Sequence, residues 1–240
     1  MTFFLSFMLD KELSFKEQQL EYYRVEHAYR DAGEEAFARL RAANIDVDSF
    51  DLFIRAFKFE EDLEVWAKNK TDSSFSLVTS YKFCSNVGDL GPKRKEGDKQ
   101  IPEGFYSLSE FNHNSVYFLS LKVDYPNASD SILSDQRSPG GMIFIHGGCR
   151  TIGCIPITDR WIKELYVYAV EAKNGGQEQI PIHIFPTRMS QENMSLLEKQ
   201  YDEQKVGFWR QLREGYSYFE SSKQLPIVHI DSLGVYSVQR

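Results

Sequence analysis

The chain has 240 residues, of which 42% are hydrophobic and 14% aromatic, so it can bury a sizeable core and disorder is excluded as its general state. Its net charge is −7 and it carries no basic stripe of the kind that neutralises phosphates, which argues against a nucleic-acid partner. No stretch reaches the roughly 20 apolar residues that a membrane-spanning helix requires.

Residues 1–48 are predicted to form an N-terminal helical segment. Residues 2–9 are apolar, but they lack the positive n-region and the small-residue cleavage site of a signal peptide, so no export signal is visible. Good helix formers with an apolar recurrence at three and four predict helix from about residue 14 to residue 43. Gly33 is expected to divide this run into two helices.

Strand patterns dominate residues 49–190, which we predict to be one domain. The predicted strands cover residues 53–58, 63–67, 75–83, 104–108, 116–123, 141–145 and 180–185. One helix is inserted, from an N-cap at Thr158 to about Ala172. Residues 191–240 are predicted to be a C-terminal extension, with helices over 191–200 and 206–219 and a last strand pair over 227–238. Because strands and helices do not alternate, we expect an α+β fold with a β core and peripheral helices.

The segment 142–159 carries the pattern that points to chemistry. An apolar strand runs into His146 and two glycines, and a glycine–cysteine step then ends at Cys154. An imidazole beside a thiol favours the reactive thiolate by pairing with it as imidazolium. The backbone N–H groups of Gly153 and Cys154 are candidates for an oxyanion site. This arrangement predicts a cysteine nucleophile with a histidine base.

Each of these residues also has an ordinary interpretation. Cys154 can be a packed thiol and His146 a structural hydrogen-bonding group. His146, Cys149 and Cys154 are potential zinc ligands, although no fourth ligand is evident, and we predict no metal. The chain has three cysteines, so at least one thiol is free. We interpret Cys149 as a packed thiol, in preference to a partner of Cys84 or a redox partner of Cys154.

The run from His146 to Asp159 resembles the active-site motif of the YkuD-like L,D-transpeptidase superfamily, and it is most similar to the compact YafK-type branch. Supporting segments follow in the expected order over residues 59–66, 91–98, 102–106, 125–127 and 180–186. The resemblance implies a β-sandwich-like core of the L,D-transpeptidase type, with helices at the N-terminal and C-terminal ends.

The resemblance also implies roles for individual residues. Cys154 matches the nucleophile and His146 the general base, while the backbone carbonyl of Gly147 orients the imidazole and the backbone N–H of Gly153 is an oxyanion donor. Arg150, Arg94, Thr151 and His183 are predicted to bind substrate. His183 is included because the alternation of a strand turns its side chain away from those of its isoleucine neighbours. We interpret Lys93 as a solvated surface charge.

The implied reaction is acyl transfer on peptidoglycan stem peptides through a thioester at Cys154, without a cofactor, at the periplasmic side of the cell envelope. The sequence departs from the widespread motif in its gap of eight residues from His146 to Cys154 and in Ile152, which occupies the position of a second histidine. The reaction direction therefore stays open between transpeptidation and hydrolysis, including release of a wall-linked lipoprotein. The alternatives are an inactive peptidoglycan-binding module and a zinc-stabilised structural module.

Overall fold

A computed structural model describes residues 12–239 of the chain. The apolar stretch 2–9 lies outside the described residues. Within the described part, no helix combines the length and the apolar character needed to cross a membrane.

Six helices and ten strands make up the described chain. The helices are α1 (Phe15–Leu20), α2 (Tyr23–Ala42), α3 (Ala128–Leu133), α4 (Thr158–Asn174), α5 (Gln191–Gln200) and α6 (Glu203–Ser222). The strands are β1 (Phe50–Phe57), β2 (Asp62–Asn69), β3 (Ser76–Lys82), β4 (Gly104–Asn112), β5 (Ser120–Val123), β6 (Phe144–His146), β7 (Ile155–Pro156), β8 (Ile180–Phe185), β9 (Ile227–Ile230) and β10 (Tyr236–Gln239).

Eight strands form one curled sheet in the order β3-β2-β1-β8-β4-β5-β6-β7, while β9 and β10 form a separate antiparallel hairpin. The pairs β1–β8 and β6–β7 are parallel, and the other neighbours in the sheet are antiparallel. The α+β prediction, with a β core and helices at both ends of the chain, is confirmed. The short strands β6 and β7 lie at one edge of the sheet and carry the histidine–cysteine segment.

Both faces of the sheet are covered by helices. Successive side chains of a strand point to opposite faces, so one strand contributes to two cores. Ile182 and Ile184 of β8 belong to the main core, together with Leu165 of α4. Phe185, on the other face, packs in a second core with Trp209 of α6. The helices predicted as a C-terminal extension therefore complete the packing of the sheet.

Two predicted helix boundaries are wrong. The first helical run is interrupted at residues 21–22 and not at Gly33, which lies buried inside α2. The tertiary packing of α2 on α4 outweighs the low helix propensity of one glycine, which is worth about 1 kcal/mol. Thr158 is the first residue of α4 and not its N-cap; the N-cap is Ile157, which has no side-chain capping bond.

Candidate active site

His146 is the last residue of β6, and its imidazole is held in one orientation. Nδ1 lies 2.5 Å from the carbonyl oxygen of Gly147. A carbonyl only accepts, so Nδ1 carries the proton and Nε2 is left as the acceptor. The ring of Tyr117 stacks on the imidazole, with 4.4 Å between the ring centroids. Nε2 is buried and has no hydrogen-bond partner among residues 12–239.

Cys154 comes directly before β7, which pairs with β6 in parallel, so that Ile145 faces Ile155. Its thiol donates to the carbonyl of Met142 at 3.5 Å. Burial raises the pKa of Cys154, opposed by the backbone amide of Phe144 and the Lys93 ammonium. Burial also lowers the pKa of His146, opposed by its bond to Gly147. Burial thus favours a neutral thiol and a neutral imidazole, with His146 at the end of β6 and Cys154 directly before β7.

Thr151 braces the turn that presents the cysteine. Its hydroxyl accepts from the backbone N–H groups of Cys154, at 2.8 Å, and Gly153, at 3.2 Å. The same hydroxyl donates to the carbonyl of Cys154 at 2.8 Å. One hydrogen and two lone pairs are thereby used, so Thr151 has no capacity left for a substrate in this arrangement. The two amides predicted as oxyanion donors converge on one oxygen position, which Thr151 now fills.

The polar loop 88–103 forms one wall of this turn. Gly153 has φ +131°, and a Cβ there would lie 2.9 Å from the carbonyl oxygen of Gln100, so glycine is required by both its conformation and its neighbour.

Within the loop, Lys93 is only 4% exposed. The interpretation of Lys93 as a solvated surface charge is therefore wrong. Asp98 compensates the buried ammonium at 2.7 Å, and the carbonyl of Lys95 accepts from it at 2.9 Å.

Cys84 and Cys149 form a disulfide, with 5.4 Å between their Cα atoms. The interpretation of Cys149 as a packed thiol is corrected by this finding. The bond ties the segment after β3 to the loop between His146 and Cys154, and it leaves Cys154 as the free cysteine. It also removes Cys149 from the ligands that a zinc site would need.

A similar known protein identifies the family, whereas no family model matches the chain. The Escherichia coli K12 protein that carries the provisional name L,D-transpeptidase YafK is 35% identical over 181 residues, which cover 75% of this chain and 70% of that protein. The chain belongs to the YafK-type L,D-transpeptidase family. The same name and the same degree of identity are found in Escherichia coli O157:H7.

Two solved structures are also similar to this family member. The helical cell shape determining protein Pgp2 from Campylobacter jejuni is 19% identical, with a TM-score of 0.46 and coverage of 77% of this chain and 74% of that one. Bd1075 from Bdellovibrio bacteriovorus is 20% identical, with a TM-score of 0.41 and coverage of 80% and 78% respectively.

The two arginines predicted to bind substrate have different surroundings in the structure. Arg150 is exposed next to the disulfide and makes no hydrogen bond or ion pair with the described residues. Arg94 is bonded to the buried Asp130 at 3.1 Å and lies over the ring of Phe208, 5.1 Å from its centroid. Arg94 is thus part of the packing between the polar loop and α6, whereas Arg150 is free to meet a ligand.

His183 points away from Ile182 and Ile184, and it packs among aromatic rings. The centroids of Phe53 and Phe105 lie 4.7 Å and 4.8 Å from that of its imidazole. His183 is only 5% exposed, and its Nδ1 has no hydrogen-bond partner in the described chain. Its surroundings are those of a core histidine beneath α6.

The burial of His183 predicts an acid-dependent loss of stability. Burial lowers its pKa to about 3, so between about pH 6.5 and 3 the unfolded chain binds a proton that the folded chain does not. The free energy of unfolding should therefore fall by about 1.4 kcal/mol for each pH unit below 6.5 on account of this residue, and level off below about pH 3.

Urea denaturation of wild type and His183→Leu from pH 7.5 to pH 4 measures this slope. The free energy of unfolding of wild type minus that of His183→Leu should fall as the pH falls, because the leucine variant does not titrate at this position. His229→Gln, at an exposed position in β9, should keep the wild-type slope. Parallel curves for wild type and His183→Leu would contradict the prediction.

Proposed function

We propose that this protein is a cysteine-dependent acyltransferase acting on peptidoglycan stem peptides, with Cys154 as nucleophile and His146 as general base. The observation that carries the proposal is the state of the imidazole. Its Nδ1 is fixed by the Gly147 carbonyl and its buried Nε2 is unpartnered, on the strand that pairs with the one following the free thiol. Membership of the L,D-transpeptidase family supports the substrate class.

The first half of the reaction forms a thioester. The thiol of Cys154 turns from the Met142 carbonyl towards Nε2 of His146 and transfers its proton there. Catalytic hydrogen bonds of this kind are often long or absent before substrate binds. The thiolate attacks the carbonyl carbon of a stem-peptide amide. Collapse of the tetrahedral intermediate breaks the C–N bond, and the imidazolium returns its proton to the leaving amine.

The second half resolves the thioester. An acceptor amine gives a new peptide bond, whereas water gives a carboxylic acid. In both cases His146 takes the proton from the attacking group, the C–S bond breaks, and the imidazolium returns the proton to the released Cys154 thiolate. For the intermediate oxyanion, the amides of Gly153 and Cys154 are oriented towards one point, and the Thr151 hydroxyl must leave that point when the substrate oxygen arrives.

We assign recognition of the substrate to the positive charge of Arg150, in the loop between His146 and Cys154. Stem peptides carry carboxylates, and exposed Arg150 offers a guanidinium beside the segment that holds Cys154. The substrate is located outside the cytoplasm, so we place the protein at the periplasmic side of the envelope. The disulfide between Cys84 and Cys149 supports that placement, because disulfides persist in oxidising compartments.

Incubation with defined muropeptides, followed by mass spectrometry, tests the proposal. The substrates are tetrapeptide monomers, crosslinked dimers and a stem peptide joined to the terminal residues of a wall-linked lipoprotein, all in ¹⁸O-labelled water. New dimers indicate transpeptidation, and ¹⁸O in a cleaved product indicates hydrolysis. Cys154→Ala should give neither product. If the wild type leaves the muropeptide profile unchanged but co-sediments with insoluble peptidoglycan, the protein is a binding module and not an enzyme.

A further inference from the structure

The peptide group between Gly147 and Gly148 is hydrogen-bonded at both of its ends. Its carbonyl oxygen accepts from Nδ1 of His146 at 2.5 Å. Its N–H donates to Oδ1 of Asp159 at 2.7 Å. One planar peptide unit therefore connects the imidazole to a carboxylate.

Asp159 is an exposed residue, but its Oδ1 lies close against this peptide. A Cβ on Gly147 would collide with Oδ1 of Asp159 and with the carbonyl oxygen of Tyr117, so the approach requires glycine. Asp159 lies in the first turn of α4, where the positive end of the helix dipole favours a negative side chain. Two backbone bonds, from Ile157 to the carbonyl of His146 and from Thr158 to that of Gly148, hold the helix start beside the turn.

In the usual catalytic triad a carboxylate contacts the histidine directly and stabilises the imidazolium. Resting on the proposed function, we infer that Asp159 is a positioning residue that acts on His146 through the Gly147–Gly148 peptide. Its negative charge polarises the peptide, which strengthens the carbonyl as an acceptor for Nδ1–H. The imidazolium that forms when Cys154 gives up its proton is thereby stabilised.

Other groups near the pair do not supply this charge. Tyr117 covers one face of the imidazole and is a phenol. Lys93 acts on Cys154 from the polar loop and is a cation paired with Asp98. Asp159 is the carboxylate bonded to the turn that holds His146.

Asp159→Asn tests the charge separately from the geometry, because an asparagine oxygen can still accept from the Gly148 N–H. One readout is the pKa of His146 from an NMR titration, assigned with His146→Gln. The other is the pH dependence of Cys154 alkylation by iodoacetamide, which reports one thiol since the other two cysteines are paired. We expect the pKa of His146 to fall by about 0.5–1 and alkylation at pH 7 to slow roughly three- to tenfold.

Asp202→Asn is the matched control. Asp202 is the N-cap of α6 and accepts from the backbone N–H of Lys205 at 3.0 Å, so it makes a similar bond away from this turn. It should leave both readouts at the wild-type values. If the pKa of His146 and the alkylation rate in Asp159→Asn equal those of the wild type, Asp159 only holds the turn in place and the inference is overturned.

A measurement on the wild type covers the case in which Asp159→Asn does not fold. The amide resonance of Gly148 should shift with the same midpoint as the His146 ring, and its failure to do so would overturn the inference. None of these readouts requires muropeptide turnover. A wild type that yields no product contradicts the proposed function, whereas an unaltered His146 titration contradicts the role of Asp159.

Discussion

His146→Gln is expected to slow acylation of Cys154 by a carbapenem by about 10²- to 10⁴-fold at pH 7. Burial already raises the pKa of Cys154, so without the imidazole the thiol stays protonated at neutral pH. Glutamine can keep the bond to the Gly147 carbonyl, so the turn should persist while the base is lost. Intact-mass spectrometry at timed intervals gives the rate of adduct formation.

The pH profile makes this prediction specific. In His146→Gln the rate should recover as the pH rises through the pKa of the thiol, because hydroxide then supplies the thiolate. His229→Gln, which changes an exposed histidine of β9, should acylate at the wild-type rate. A rate for His146→Gln within threefold of wild type at pH 7 would show that His146 is not the base.

Glu103→Ala is expected to reduce the free energy of unfolding by about 3–5 kcal/mol. Glu103 is fully buried. Its Oε1 accepts from Nζ of Lys58 at 2.9 Å and from the N–H of Gly91 at 2.8 Å, and its Oε2 accepts from Nε1 of Trp209 at 2.7 Å. Alanine leaves a buried ammonium with only uncharged partners, among them the carbonyls of Gly91 and Ile101. Since whole domains are stable by about 5–15 kcal/mol, the loss is a large share of the total.

Urea denaturation with a matched ion-pair control measures the effect. Glu34→Ala breaks an exposed pair with Arg41, and it should cost no more than about 1 kcal/mol. The double variant Lys58→Met with Glu103→Leu removes both buried charges, so it should recover much of the stability that Glu103→Ala loses. Equal losses for Glu103→Ala and Glu34→Ala would show that removing Glu103 does not leave a costly unpaired charge at Lys58.

Hydrophobic patterns predicted most of the sheet. β1, β2, β3, β4 and β8 contain the predicted strand centres, since alternating or continuous apolar residues reflect burial on one or both faces. The last hairpin also lies within the predicted range, except that β10 extends one residue further, to Gln239. α3 was missed because it has six residues, too few for a period to show; its start is instead fixed by a capping box of Asn127 and Asp130.

The sequence predicted which residues form the candidate site, but it did not predict the contacts between them. The resemblance singled out His146, Gly147 and Cys154, which the paired strands β6 and β7 bring to one edge of the sheet. Sequence reasoning missed the brace at Thr151 and the carboxylate of Asp159, because both act through backbone groups whose directions a pattern does not encode. Asp159 was nevertheless visible as an acidic residue in the first turn of a predicted helix.

Two further properties depended on partners that folding of the loops brings together. Lys93 and Asp98 are five residues apart and bury each other when the polar loop folds back on itself. Cys84 and Cys149 are separated by 65 residues, so only the packing of the segment after β3 against the turn brings them together. Local composition favoured a solvated lysine and an isolated thiol.

The hydrogen bond from Trp209 to Glu103 makes the polar loop depend on the C-terminal helix α6. Truncation of the chain after β8 would remove α5 and α6, expose Phe185 to water and leave Glu103 without its indole partner. The polar loop that Glu103 anchors, which packs against Gly153, would lose its support. Removal of residues 191–240 is thus expected to abolish the proposed acyl transfer, although His146 and Cys154 remain in the chain.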